Sequence, residues 1–252
     1  MSRLHRQLMR VLVADIVAGV VPAGNMLPRE AALAQEFGVS RGVAREAIRG
    51  LEERGLVTVK HGRGATVNTD DSWDLFSRDV LAAMLDSPRG AEVLREYLEC
   101  RRILEIEAAG LAAERASGAA LAVLADALTK MIGSAERARD NPAAEDLYHE
   151  ADIAFHRAVI SATGNKALGR MTEPIHRALA EARRPLARPE YRLDRSIPEH
   201  KRILAAIADR DMDEARSAMH DHLLTVEEYL NEYARSVAQH AREPHAVVQP
   251  SS

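Results

Sequence analysis

Cysteine, aromatic side chains and long apolar runs are scarce in this chain of 252 residues. Aromatic residues make up only 4% of it, and Cys100 is the single cysteine. One thiol cannot form an internal disulfide, which favours a reducing compartment. No apolar run approaches the roughly 18 residues that a membrane span needs. The N-terminus is basic, but the stretch after it is interrupted by polar residues and makes a poor signal peptide. We therefore expect a cytoplasmic protein with no membrane segment.

The abundant residues favour helices, and the charges divide the chain into two parts. A hydrophobic content of 46% and a charged content of 29% fit a globular protein rich in alanine and leucine, which is mostly helical. Residues 1–69 carry ten basic and six acidic side chains, whereas the rest carries 24 and 32. A basic N-terminal part followed by an acidic remainder indicates that only the former meets a polyanion.

Three helices and a hairpin are predicted in the basic part. Apolar spacing predicts a helix over residues 4–19, and two shorter helices follow over residues 29–37 and 41–54. Ser40 is a suitable N-cap for the last of these. Residues 56–68 have the pattern of a strand, a glycine-containing turn and a second strand. Three helices followed by such a hairpin predict a winged helix-turn-helix.

The acidic remainder is predicted to be an all-α helical bundle. Residues that break helices, such as Gly118 and Gly164, separate most of its segments. The predicted helices cover residues 73–85, 91–116, 119–139, 143–163, 166–184, 198–210 and 212–236. The predicted organisation is a winged domain at 1–69, a linker and connecting helix at 70–90, the bundle at 91–236 and a flexible tail at 237–252.

The third predicted helix carries a stripe of arginines. Arg41, Arg45 and Arg49 recur every four residues and so share one helix face. An arginine on a helix in the major groove of DNA can form two hydrogen bonds with guanine. The alternative is a solvated charged face in which nearby glutamates pair with the arginines, namely Glu46, Glu52 and Glu53.

The residues around this helix favour contacts with DNA. Ser40 lies at the helix N-terminus, where a hydroxyl and backbone N–H groups suit a phosphate. His61, Gly62 and Arg63 form the tip of the predicted hairpin, and a glycine there lets the backbone approach DNA closely. The turn, the stripe and the hairpin together favour a DNA-binding domain over a solvated face.

The stretch "LPREAALAQEFGVSRGVAREAIRGLEERGLVTVKHGRGATV" resembles the N-terminal domain of GntR-type bacterial transcription regulators. The resemblance implies that five matching positions contact operator DNA: Ser40, Arg41, Arg45, His61 and Gly62. Some relatives have an arginine where this chain has Ala31, and Arg29 is a candidate for the same phosphate contact. Arg49 and Arg63 are added to these DNA-binding residues because of their places in the stripe and the hairpin.

The helical remainder contains a few possible metal ligands. Asp152 and His156 are four residues apart, so one helix face presents both. Three imidazoles and one carboxylate can hold zinc, nickel, manganese or a similar divalent ion, and His200 and His222 would complete such a set. By residue type alone, three other histidines would serve equally well: His149, His176 and His220.

Three stretches of the remainder resemble the FCD effector domain of the FadR branch of these regulators: "LECRRILEIEAAGLAA", "HEADIAFHRAVISATGNKAL" and "EHKRILAAIADRDMDEARSAMHDHL". In metal-binding members the matching ligands are Asp152, His156, His200 and His222. The resemblance also assigns Arg101 to the effector pocket, and the alternative is an exposed salt bridge between Arg101 and Glu105.

Together these resemblances imply a homodimeric regulator that binds double-stranded operator DNA. A small carboxylate, a sugar acid or hydroxy acid, would bind at a divalent metal, with zinc favoured, and release the protein from DNA. "WDLFSRDVLAAML" further resembles regulators of sugar-acid catabolism. We do not expect an enzyme. Two alternatives stay open, a metal sensor and a metal-dependent hydrolase, for which Glu150 and Glu199 are candidate bases only through their proximity in sequence.

Overall fold

The structure is a computed structural model that describes residues 3–60, 62–138, 141, 144–183 and 195–240. The described residues form two compact units, divided between Glu96 and Tyr97. Most of the described chain is helical, and its one sheet is a two-stranded hairpin near the N-terminus. The prediction of a mostly α fold, with a winged N-terminal part and an all-α remainder, is confirmed.

Three helices form the interior of the N-terminal unit. Helices α1 and α2 both pack on α3, and their apolar faces include Val13, Leu33 and Leu51, each at most 1% exposed. The predicted limits are correct to within two residues. The bounds are Arg3–Val17 for α1, Glu30–Glu36 for α2 and Arg41–Glu53 for α3.

Helix α3 begins and ends at residues that the sequence singles out. The Ser40 hydroxyl oxygen accepts a hydrogen bond from the Val43 amide at 3.2 Å, so Ser40 is the N-cap. After the helix, Gly55 has a φ of 71°, and a Cβ there would lie 1.8 Å from the Ser72 carbonyl oxygen. Only glycine fits this backbone path, because both the conformation and the available space exclude a side chain.

The predicted hairpin is present. Strand β1, Val57–Lys60, pairs antiparallel with β2, Gly64–Val67, with Val57 opposite Val67 and Lys60 opposite Gly64. Val57 and Val67 are buried at 1% and 2% exposure, so this end of the hairpin is anchored in the N-terminal unit. The other end forms the exposed turn.

The connecting segment differs from the prediction. A short 3-10 turn, Asp70–Ser72, comes first, and helix α4, Arg78–Leu85, begins at residue 78 rather than at residue 73. Asp74 explains the delay: its amide donates to the Arg54 carbonyl at 2.8 Å, and its carboxylate accepts from the Phe76 amide at 3.1 Å. Such local bonds compete with helix formation. Helix α4 packs against α1.

The second unit is a bundle of long helices, and the predicted bounds agree with them to within a few residues. Helix α10 continues to His240, so residues 237–240 of the predicted flexible tail are helical, and residues 241–252 lie outside the described residues. The bounds are Gly90–Arg115 for α5, Gly118–Ala138 for α6, Ala144–Ala162 for α7, Lys166–Arg183 for α8, Ile197–Ala208 for α9 and Met212–His240 for α10.

The core of the bundle combines small and large apolar residues. Alanines of α5, among them Ala109 and Ala112, let neighbouring helices approach, and Phe155 of α7 fills the space between them. Helix α6 is long and apolar enough to span a membrane by length and composition alone. Leu124 and Met131 of α6 are fully buried in this core, so its apolar character has a role in folding.

Candidate metal centre and nucleic-acid interface

The arginine stripe lies on the exposed face of α3. Arg41, Arg45 and Arg49 are all exposed, whereas Ala47 and Leu51 of the opposite face are fully buried. The helix is therefore held by its apolar face and presents its arginines to solvent. This is the arrangement that a helix needs in order to enter a DNA groove.

The ion pairs of the stripe match only in part those expected for a solvated face. Arg49 contacts Glu53 on its own helix at 3.3 Å, as that alternative expects. Arg45 instead contacts Glu30 of α2. The Glu52 carboxylate accepts a hydrogen bond from the Val59 amide at 3.0 Å, which ties the hairpin to α3.

The other predicted DNA-binding residues lie at the surface of the same unit. Arg29 is the exposed residue before α2, and Ser40 is exposed at the start of α3. The Ser40 hydroxyl oxygen is used as the helix cap, which leaves its O–H as a donor for a phosphate. Gly62 and Arg63 are exposed in the hairpin turn, where Gly62 has a φ of 73°. His61 lies outside the described residues.

The structure brings together the four predicted metal ligands. Asp152 and His156 come from α7, His200 from α9 and His222 from α10, and all four are at most 4% exposed. One possible ligand atom of each lies within 4.8 Å of the others. The His200 Nε2 atom is 3.3 Å from His156 Nε2 and 3.2 Å from the Asp152 carboxylate.

Each of the three imidazoles has an oxygen atom close to its Nδ1 atom, and for His200 and His222 this contact is a hydrogen bond. His156 Nδ1 is 2.6 Å from a Glu105 oxygen, His200 Nδ1 is 2.7 Å from the Ser196 carbonyl, and His222 Nδ1 is 2.8 Å from a Glu199 oxygen. For His200 and His222, an oxygen acceptor at Nδ1 selects the tautomer with its proton there and its lone pair on Nε2. The contact of His156 Nδ1 with Glu105 is close but lacks hydrogen-bond geometry. The donor set and its supporting oxygens therefore fit a divalent metal.

Glu105 connects this cluster to two further side chains. One of its oxygens accepts from Arg101 Nε at 2.9 Å and lies 2.7 Å from His176 Nε2. Burial is the largest single influence on the pKa of Glu105 and would raise it, but the Arg101 cation, His156 and His176 together outweigh burial and hold the pKa well below the usual value. Burial and then Arg101 lower the pKa of His156, which keeps its imidazole neutral, as a metal ligand must be.

The alternative to a pocket role for Arg101 was an exposed salt bridge with Glu105; the salt bridge is present, but it is buried. The two side chains are 2% and 1% exposed, because α5 turns this face towards the polar cluster. Arg101 Nη1 is buried and has no hydrogen-bond partner among the residues that the structure describes. A buried N–H of this kind favours an anionic ligand, since leaving it unbonded is costly.

The residues that support the metal ligands were not identified from the sequence, or were assigned a different role there. Glu105 was considered only as the partner of Arg101, Ser196 not at all, and Glu199 as a candidate base. The four-residue spacing of Arg101 and Glu105 was the available signal, but no local pattern connects either residue to His156. Of the other candidate histidines, His176 contacts Glu105 and His220 is exposed beside Asp221.

Both the N-terminal part and the helical part of the chain match known protein families. Residues 4–67 match the family described as "Bacterial regulatory proteins, gntR family", and residues 96–225 match the family described as "FCD domain". The chain belongs to the gntR family of regulators and carries an FCD domain. It is thus a DNA-binding transcription regulator, as the resemblance predicted.

Two named relatives and one solved structure illustrate the likeness. The Galactonate operon transcriptional repressor of Escherichia coli (strain K12) is 32% identical over 81% of this chain and 86% of its own length. The HTH-type transcriptional regulator LutR of Bacillus subtilis (strain 168) is 35% identical over 85% and 95%. The structure titled "Lar controls the expression of the Listeria monocytogenes agr system and mediates virulence" shares the fold, with a TM-score of 0.65 at 20% identity over 92% of this chain and 98% of that one.

Proposed function

We propose that the chain is a cytoplasmic, homodimeric repressor that a small carboxylate releases from its operator. Residues 1–69 bind DNA, and residues 91–236 bind the effector and form the dimer. Residues 70–90 connect these two domains. The observation that carries this proposal is the buried cluster of three imidazoles and one carboxylate, which Glu105 joins to Arg101, whose Nη1 atom has no hydrogen-bond partner among the described residues. A metal and an arginine together select acids over neutral molecules.

The DNA-binding roles follow from exposure and chemistry. Arg41, Arg45 and Arg49 would enter the major groove on α3, because their helix face is exposed and cationic. Two groups of residues would contact the backbone at the edges of this surface: Arg29 and Ser40 beside α3, and His61, Gly62 and Arg63 in the hairpin turn. A dimer would present two such surfaces to the two halves of a near-palindromic operator.

The effector site would be shared by the metal and Arg101. Asp152, His156, His200 and His222 would hold the divalent ion, with zinc favoured and nickel or manganese as alternatives. The bound ion supplies open coordination positions for carboxylate and hydroxyl oxygens. Arg101 Nη1 would donate to the carboxylate of the effector. The name of the galactonate operon repressor supports a sugar acid or hydroxy acid as that effector.

The hydrolase alternative has no observation in its favour, and we propose that the chain is not an enzyme. Glu199 is occupied in supporting His222 at 2.8 Å, and Glu150 is exposed whereas the ligands are buried. A titration of operator binding with zinc distinguishes the metal-sensor alternative from the acid-responsive regulator. An acid-responsive regulator keeps its DNA affinity when the free zinc concentration changes modestly, whereas a sensor does not.

The first experiment measures the melting temperature of the metal-loaded chain against sugar acids, hydroxy acids, dicarboxylates and neutral sugars. A ligand that binds only the folded state raises this temperature. We expect an acid to raise it, neutral sugars to have no effect, and the Arg101→Lys variant, which keeps the charge but loses the planar fork, to respond less. A panel in which no acid raises the melting temperature would contradict the proposed effector class.

A further inference from the structure

Arg45 is bonded to a different helix from its own. Its Nε atom lies 3.1 Å and 3.2 Å from the two carboxylate oxygens of Glu30, and its Nη2 atom lies 3.1 Å from one of them. Glu30 is in the first turn of α2, fifteen residues before Arg45 in α3. The contact therefore joins the guanidinium to the scaffold of two packed helices.

Four of the five N–H groups of the planar guanidinium form two edges, each with a pair of parallel donors. Glu30 occupies the edge made by Nε and Nη2. The other edge, made by Nη1 and the second N–H of Nη2, is directed away from Glu30 by the geometry of the group. This second edge is a pair of parallel donors, which matches the O6 and N7 acceptors of guanine in the major groove.

We infer that Glu30 is a positioning residue for base recognition. It holds the Arg45 guanidinium so that its outer edge faces a guanine of the operator, and it thereby sets the base preference at that position. The inference rests on the proposed DNA binding by α3. An arginine that is held in place loses less conformational entropy when it binds than a mobile one.

Arg49 provides the internal comparison. Its Nε atom lies 3.3 Å from a carboxylate oxygen of Glu53, and both residues belong to α3. The Arg49 side chain is 69% exposed and that of Arg45 is 68% exposed, so exposure does not distinguish them. The difference lies in the two-donor contact of Arg45 with a second helix. We expect Glu30, and not Glu53, to control a base preference.

The test begins with selection of binding sites by the full-length, metal-loaded chain from a random duplex library, without added acid. Arg45→Ala identifies the base pair that Arg45 reads, as the position at which the preference for guanine disappears. Binding of Glu30→Gln is then measured on the selected duplex and on duplexes substituted at that pair. We expect its discrimination in favour of guanine to fall roughly tenfold, with no weaker binding to the substituted duplexes.

Two control variants complete the design. Glu53→Gln should retain the wild-type preference at this base pair. The double variant Glu30→Gln with Arg45→Ala should discriminate no less than Arg45→Ala alone, because Glu30 acts only through Arg45.

Several results would overturn the inference. Wild-type discrimination in Glu30→Gln, an additive loss in the double variant, or uniformly tighter binding to every duplex would each show that Glu30 does not position Arg45. No altered base preference in Arg45→Ala would do the same while leaving DNA binding by the chain intact. Failure of the wild-type chain to select any duplex would instead refute the proposed function itself.

Discussion

Arg45 and Arg49 of the N-terminal unit keep 68% and 69% of their side chains exposed, whereas Arg101 of the helical unit keeps 2%. All three pair with a glutamate, but the surroundings change what the pair does. Water solvates the exposed arginines with or without a partner, so their pairs add little to stability. The Arg101 guanidinium is buried away from water, so the Glu105 carboxylate is the counter-charge that stabilises it. The exposed arginine surface can therefore be changed without unfolding the protein, and the buried site cannot.

The largest predicted effect tests this contrast within the helical unit. Glu105→Gln keeps the shape of the side chain but leaves the buried Arg101 cation without an anion, which should reduce the free energy of unfolding by about 3–5 kcal/mol. Urea denaturation followed by circular dichroism measures the change. The matched control is Glu173→Gln, which breaks the exposed pair of Glu173 with Arg157 and should cost below about 1 kcal/mol. Equal losses in the two variants would remove the distinction between buried and exposed pairs.

Removal of the metal should have the next largest effect, and only in the helical unit. At a free metal concentration about 100 times the dissociation constant, binding to the folded state stabilises it by about 2.7 kcal/mol, which a chelator removes. The measurement is the unfolding free energy with and without chelator.

Two histidines of α10 test which side chains hold the metal. His222→Ala should be insensitive to the chelator because it lacks a ligand, whereas His220→Ala should respond like the wild type, since His220 is exposed two residues away. A chelator response that persists in His222→Ala would exclude His222 from the site.

The smallest predicted effect concerns the N-terminal unit. Ser40→Ala removes the acceptor for the Val43 amide and should destabilise α3 by about 1 kcal/mol, whereas Ser40→Thr keeps a hydroxyl in place. Hydrogen exchange of the Val43 amide in the full chain measures this effect, and exchange in α7 should not change. Unaltered protection of Val43 in Ser40→Ala would mean that the cap contributes nothing to this helix.

The local features of the molecule were predictable because they depend on neighbouring residues. The spacing of Arg41, Arg45 and Arg49 places them on one face whatever surrounds the helix. Ser40 at the start of α3 acts within a few residues of chain, and so does the glycine turn of the hairpin. The one clear error in this part, the start of α4, came from Asp74, whose bonds to Arg54 and Phe76 offered the backbone an alternative to a helix.

The helical site was predictable only in part. Asp152 and His156 share a helix turn, but His200 is 44 residues from His156, and the resemblance to the FCD domain was needed to place it with the others. Glu105 is 71 residues from His176, and no periodic pattern relates them. Likewise, the residue type of Glu30 gives no sign that it bonds Arg45 on the next helix.

By itself, the sequence determined the helices, the hairpin, the arginine stripe and the family, because periodicity, turn residues and motif spacing act over short stretches of chain. Tertiary structure alone decided which polar side chains would share a buried space. The fold brings one residue each of α7 and α8 to Glu105 of α5, which makes Glu105 the common partner of Arg101, His156 and His176. A buried charge is stable only beside an opposite charge or a hydrogen-bond partner, and the fold can supply that partner from any distance along the chain.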